Sequence, residues 1–124
     1  MRRLVLIVED SETCAETLQI ALESIPGMET RLIRNPVEAL AAFREKPGDI
    51  AAVVTDLHLP QADGFDLIRQ LRAEPGNARL PIVLISGDSD PRLPANALAR
   101  GADAFFAKPY SPSAVRRKLE QLLC

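Results

Sequence analysis

The sequence has no tryptophan, one tyrosine and four phenylalanines, so it offers little flat aromatic surface for stacking nucleobases. It has no block of like charge. Its 15 basic and 17 acidic residues leave a net charge of -2, which argues against general nucleic-acid binding through a basic surface. No apolar run approaches the length of a membrane span. The start, Met1 to Asp10, superficially resembles a signal peptide. Its apolar core stops after Leu4 to Val8 against Glu9 and Asp10, however, and no small-residue cleavage site follows. The two cysteines, Cys14 and Cys124, have no metal-ligand spacing and are too few for a disulfide framework, so a reducing cytoplasm is the expected compartment. No linker, low-complexity segment or internal repeat is visible.

What is present suits one domain over 1–124. The hydrophobic content of 47% supplies a single core, and the charged fraction of 26% is ordinary for a globular chain. Leu4 to Val8 reads as a buried strand closed by Glu9 and Asp10. Ser11 is placed to cap a helix whose stripe is Ala15, Leu18, Leu22 and Ile25, stopped by Pro26-Gly27. Cys14 falls beside that stripe and is expected to be a small packed residue. Met28 to Arg34 alternates and reads as an edge strand. Asn35-Pro36 starts a second helix with apolar positions Val37, Leu40, Ala41 and Phe43.

Ile50 to Thr55 is an unbroken apolar strand that ends abruptly in Asp56, and turn signals follow at Pro60 and Asp63-Gly64. Phe65, Leu67, Ile68 and Leu71 then mark a third helix. Leu80 to Ile85 is a fourth strand, ending in Ser86-Gly87-Asp88. Prolines at 91 and 94 forbid a long regular helix, so a loop and a short helix from about Pro94 to Arg100 are expected, with Gly101 as its stop. Ala104 to Ala107 is a fifth strand, closed by Lys108-Pro109. Ser111-Pro112 opens a last helix with a stripe of Val115, Leu119 and Leu122; Arg116, Arg117 and Lys118 are read as its solvated outer face.

Five alternations of strand and helix with short connections predict a parallel α/β sheet covered on both faces, with strands one, three and four at its centre. The unusual polar residues then fall at one edge. Glu9 and Asp10 follow the first strand, Asp56 ends the third, Ser86 follows the fourth and Lys108 the fifth. Carboxyl ends of parallel strands are where open α/β sheets keep their ligands. Three neighbouring carboxylates repel unless a cation intervenes. An oxygen-only set suits Mg²⁺, or Mn²⁺ as the alternative. Asp56 is the candidate nucleophile for a phosphoryl group, Lys108 a point charge on a phosphoryl oxygen and Ser86 a hydrogen-bond donor to another.

This ordered set, Val8-Glu9-Asp10, Asp56 with Leu59-Pro60 and Asp63-Gly64, Ser86-Gly87, and Gly101-Ala102-Asp103-Ala104 before Lys108-Pro109, resembles the receiver domain of two-component response regulators, including the single-domain chemotaxis type. The resemblance covers essentially the whole chain. It implies a flavodoxin-like doubly wound (βα)5 fold with sheet order 2-1-3-4-5. It implies that Asp56 accepts phosphate from a sensor histidine kinase or phosphotransfer protein. It gives Mg²⁺ to Asp10, Asp56 and the backbone carbonyl of His58, with Glu9 acting through a metal-bound water. It makes Ser86 the switch hydroxyl and Phe105 the aromatic that turns inward with it. Phosphorylation would reshape the face of the fourth helix, fifth strand and fifth helix, toward a downstream protein or a second copy of the chain.

Some readings stay open. Phe105 is equally an ordinary core residue. His58 is the one histidine; its ring is a bystander by default, and otherwise flanks, with Asp88, the path of the water that removes the phosphoryl group. The function expected is a phosphorylation-controlled switch with only slow self-phosphorylation and self-dephosphorylation. The alternatives are a phospho-independent adaptor of the same fold and a phosphatase of the haloacid dehalogenase class, which wants a second acid where His58 stands. No output domain lies within these 124 residues, which are read either as a stand-alone regulator or as a piece of a longer protein.

Overall fold

Runs rich in valine, isoleucine and leucine become strands, and each is followed by a helix whose apolar positions recur at helical spacing. In chain order these are β1 (Arg3–Val8), α1 (Glu12–Glu23), β2 (Met28–Ile33), α2 (Pro36–Glu45), β3 (Ile50–Asp56), α3 (Gly64–Ala73), β4 (Ile82–Ser86), α4 (Leu93–Ala99), β5 (Ala104–Ala107) and α5 (Pro112–Leu123). A 3-10 turn, Pro47–Asp49, joins α2 to β3. The computed structural model describes residues 3–59 and 63–123, so the expected turn at Pro60, and Cys124, lie outside the described residues.

All strand pairs are parallel and the order is β2-β1-β3-β4-β5, as expected for a doubly wound sheet. Register sets the strand ends nearly level: Val8 stands beside Thr55, Asp56 beside Ile85, and Ser86 beside Ala107. Successive residues of a strand point to opposite faces. Val5, Ile7, Ala52, Val54, Val83 and Ile85 therefore pack with Leu18 and Leu22 of α1 and Val115 and Leu119 of α5. Leu6, Val8, Val53, Ile82 and Leu84 face the other way, onto α2, α3 and α4. Each large aliphatic side chain buried here contributes about 1.5–3 kcal/mol.

Local chemistry explains where the elements depart from the sequence reading. Asn35 caps α2 as expected, its side chain accepting from Glu38 N–H at 3.0 Å. Ser11 occupies the cap position of α1 but makes no side-chain cap bond; its own N–H donates to Glu9 Oε1 at 3.1 Å instead. The buried face of α2 is Pro36, Ala39, Leu40, Ala42 and Phe43, whereas Val37 and Ala41 face solvent. Positions 36, 39–40 and 43 form one i, i+3, i+4, i+7 stripe, and 37 and 41 lie on the next row. The fourth strand begins at Ile82, not Leu80, with Pro81, which lacks an N–H, just before it. The short α4 and its stop at Gly101 agree with the expectation; Gly101 has φ +109°, open to glycine and strained for other residues. Arg116 is not part of a free outer face. It donates to Ser24 Oγ at 3.0 Å, tying α5 to the end of α1.

Arg72, near the end of α3, gathers a junction. Its guanidinium donates to the carbonyls of Asn77 (2.8 Å), Leu80 (2.6 Å) and Gly101 (2.7 Å), and to Asp103 Oδ2 at 3.0 Å. Asp103 Oδ2 also accepts Ile82 N–H at 2.8 Å. One side chain thus holds the end of α3, the start of β4 and the turn after α4 together.

Candidate functional site

The carboxylates stand at the strand ends: Asp56 closes β3, and Glu9 and Asp10 follow β1. Glu9 and Asp56 are buried and Asp10 is exposed. One oxygen from each of the three lies within 4.8 Å of the others. The Asp56 carboxylate has a fixed orientation: Oδ1 accepts His58 N–H at 3.1 Å and Oδ2 accepts Lys108 Nζ at 2.6 Å. Lys108 Nζ also donates to Glu9 Oε2 at 3.1 Å, so one ammonium bridges the ends of β1 and β3 from the loop after β5.

The described ends of the loop after β3 are held close to the strand end. His58 forms an isolated antiparallel bridge with Asp63, and Asp63 caps α3 by accepting Asp66 N–H at 2.9 Å. Gly64 N–H donates to Leu57 O at 2.6 Å. A Cβ on Gly64 would fall 2.6 Å from Asp56 O and 3.0 Å from Leu57 Cα, so only glycine lets α3 start this close to the strand end.

Charge distinguishes the groups. Burial, reinforced by the Asp56 carboxylate, raises Glu9 above the usual carboxylate range, although Ser11 N–H and Lys108 pull the other way. Burial alone would lower Lys108; the hydrogen bonds and charges of Asp56 and Glu9 outweigh it and hold the ammonium above its ordinary pKa. One ammonium bonds two of the three carboxylates, which leaves an excess of negative charge. Three carboxylates gathered this closely could together hold a hard divalent cation, which would offset their mutual repulsion. The donor set, all oxygen, is of the right kind.

Ser86 is fully buried at the end of β4, and its Oγ accepts Asp88 N–H at 3.0 Å. His58 Nε2 lies 3.6 Å from Asp88 Oδ2. Phe105 is half-buried on β5 and packs against the α2–α3–α4 side of the core. The sequence reading therefore placed Glu9, Asp10, Asp56 and Lys108 in one cluster that the structure does assemble. It missed a cleft of about 410 Å³ beside Lys108, lined by Thr13, Cys14, Thr17, Pro109 and Tyr110. Cys14 is half-buried on its wall rather than packed away. Tyr110, the one tyrosine, is pushed up to about 12, by burial first and then by the nearby Cys14, Glu9 and Asp56. Its place two residues past Lys108 was the available signal.

A parallel sheet whose carboxyl edge gathers acids from β1 and β3, a hydroxyl from β4 and a lysine after β5 defines an α/β domain with a strand-end acidic site. The chain belongs to the response regulator receiver domain family, whose sequence model matches residues 5–120. DNA-binding response regulator MtrA of Mycolicibacterium paratuberculosis is 38% identical over 112 residues, which cover 90% of this chain and 47% of that protein. The chain thus spans about half the length of the MtrA relatives it matches. The chemotaxis protein CheY homolog of Campylobacter jejuni is 26% identical over 95% of this chain and 90% of its own. The signal receiver domain of a signal transduction histidine kinase from Syntrophus aciditrophicus superposes with a TM-score of 0.85 at 34% identity, covering 98% of this chain and 89% of that one. The chemotaxis response regulator CheY4 of Vibrio cholerae shares the fold, with a TM-score of 0.86 at 23% identity over 99% of this chain and all of that one. The chain is a receiver domain of two-component signalling, a signalling module. No helix among the described residues is long and apolar enough to cross a membrane.

Proposed function

We propose that Asp56 is the phosphoryl acceptor of a cytoplasmic switch driven by a histidine kinase or a phosphotransfer protein. The observation that carries this reading is the fixed, buried Asp56 carboxylate with Lys108 Nζ at 2.6 Å. An Asp56 oxygen attacks the phosphorus of a phosphohistidine. The P–N bond breaks, its electron pair stays on the imidazole nitrogen, and an O–P bond forms. Lys108, displaced from the carboxylate oxygen it holds, pairs with a phosphoryl oxygen as a point charge. Ser86 donates a hydrogen bond to another. Reset is attack of water on the same phosphorus, which releases inorganic phosphate and restores the carboxylate.

Mg²⁺, or Mn²⁺, would be held by Asp10, Asp56 and the His58 carbonyl, with Glu9 through a water. When bound, the ion supplies positive charge against the negative charge growing on the phosphoryl oxygens. Turnover by the domain alone is slow, and the output is conformational: Ser86 and Phe105 shift together and change the α4–β5–α5 face. That face meets a downstream protein or a second copy of the chain. The domain occupies 1–124, and any output activity such as the DNA binding named for MtrA belongs to segments outside it.

The test is incubation with Mg²⁺ and acetyl phosphate, followed by intact-mass measurement. One added phosphoryl group is expected, lost in Asp56→Asn. No gain, or a gain that persists in Asp56→Asn, overturns the reading. Catalytic turnover of phosphate esters would instead favour a phosphatase.

A further inference from the structure

The loop between β4 and α4 is built as a ladder. Ser86 Oγ accepts Asp88 N–H at 3.0 Å. Asp88 Oδ1 accepts Asp90 N–H at 3.0 Å. Asp90 Oδ1 accepts Arg92 N–H at 2.9 Å. Each side chain holds the backbone two residues on, the short-range geometry that serine and aspartate favour. Three such links in series run from the buried hydroxyl to the residue that caps α4. Asp90 closes the end as well, because its carbonyl accepts the N–H of Leu93, the first residue of α4, at 3.0 Å. Pro91 stands between the last two linked residues, and its ring fixes φ and stiffens the segment.

The far end of α4 is held. Arg72 donates twice to Gly101 O, at 2.7 and 3.2 Å, and to Asp103 Oδ2, which in turn accepts Ile82 N–H. Ala102 N–H bonds Ala97 O at 3.0 Å. The helix is therefore fixed where it leaves and linked to Ser86 where it starts. Leu93, at that start, is buried in the cluster against which Phe105 packs.

We propose that Asp90 is a positioning residue of the switch: through the Ser86–Asp88–Asp90 ladder it carries displacement of the Ser86 hydroxyl to the first turn of α4, which pivots about an end pinned by Arg72. This rests on the reading of Ser86 as the group that moves toward a phosphoryl on Asp56. A hydroxyl has one proton to donate and also accepts. When Ser86 swings to donate, the Asp88 N–H loses its acceptor or follows it, and each later link moves with the one before. The Asp90–Arg92 ion pair, at 3.2 Å and largely exposed, is not the transmitting contact.

The experiment compares backbone amide shifts of Leu93, Ala95 and Asn96 before and after Mg²⁺ and acetyl phosphate, with phosphoryl gain read by mass in the same samples. Wild type, Asp90→Asn and Arg92→Ala are expected to show the full shift, because each keeps an oxygen accepting the amide of residue 92. Asp90→Ala is expected to take up phosphate as wild type does and to lose at least half of the shift. Asp88→Ala against Asp88→Asn repeats the test one link earlier and decides the matter if Asp90→Ala does not fold. A full shift in the alanine variants overturns the ladder, as does equal loss in alanine and asparagine variants. Phosphoryl gain without any α4 shift in wild type overturns the ladder and leaves the Asp56 reading standing; no gain in wild type overturns both.

Discussion

His58 Nε2 and Asp88 Oδ2 approach to 3.6 Å, joining the loop after β3 to the loop after β4 across the mouth of the site. One stands two residues past Asp56 and the other two past Ser86. We propose that this pair flanks the path of water bound for a phosphoryl group on Asp56. His58→Ala opens the path and is expected to shorten the phosphoryl lifetime. The pair is exposed and its contact is long, so the change expected is no more than roughly a few-fold. Phosphoryl half-lives of wild type and His58→Ala, measured side by side by mass, check this; equal lifetimes return His58 to the status of a bystander.

Gly64→Ala should cost about 3 kcal/mol in urea unfolding, at the upper end for overpacking, because the added Cβ meets backbone atoms that cannot rotate aside. The strain falls on Asp56 O and Leu57 Cα, so acetyl phosphate uptake is expected to slow in the same variant. Gly48→Ala, where a Cβ meets nothing within 4 Å, is the matched control and should leave uptake unchanged.

Tyr110 titrates high, at about 12 against an ordinary value of 10.0, because burial disfavours its phenolate. A group whose folded pKa is raised contributes stability that is complete below its unfolded value and lost as pH rises through the folded value. Stability should therefore fall between about pH 10 and 12, and Tyr110→Phe should remove this part of the fall. With one tyrosine and no tryptophan, phenolate absorbance reports this residue alone. A midpoint near 10 would refute the burial argument.

Arg72→Ala should destabilise the domain by on the order of 2 kcal/mol, since charged hydrogen bonds to the carbonyls of Asn77, Leu80 and Gly101 are lost. Arg72→Lys cannot reproduce the fork and should recover little of that loss. Urea midpoints at constant m-value give the comparison.

The fold was legible because its signals are periodic. The unbroken runs Leu4 to Val8 and Ile50 to Thr55 could hardly be anything but strands buried on both faces, and Asn35-Pro36 announces a helix by chemistry alone. The cluster of Glu9, Asp10, Asp56 and Lys108 followed from topology, because parallel strands share a carboxyl edge. What escaped has no period. The Arg72 guanidinium spans from residue 77 to residue 103, and no spacing rule connects an arginine with carbonyls that far along the chain. Val37 and Ala41 were misplaced because a ten-residue helix rich in alanine offers two adjacent stripes of similar polarity. The prolines at 91 and 94 warned of irregularity but could not disclose the side-chain ladder between Ser86 and Arg92.

The alternation of strand residues between two cores divides labour within a single β-strand. Leu84 lies in the cluster that includes Leu93 and packs Phe105, while its neighbour Ile85 lies among the residues that seat α1 and α5. Two adjacent positions, equally buried and equally greasy, thus answer to different demands: one packs with Leu93 and Phe105, the other with the residues that seat α1 and α5. Even and odd positions along the central strands are, in this sense, under separate jurisdictions, and sequence drift in one cluster can be refitted within that cluster without repacking the other.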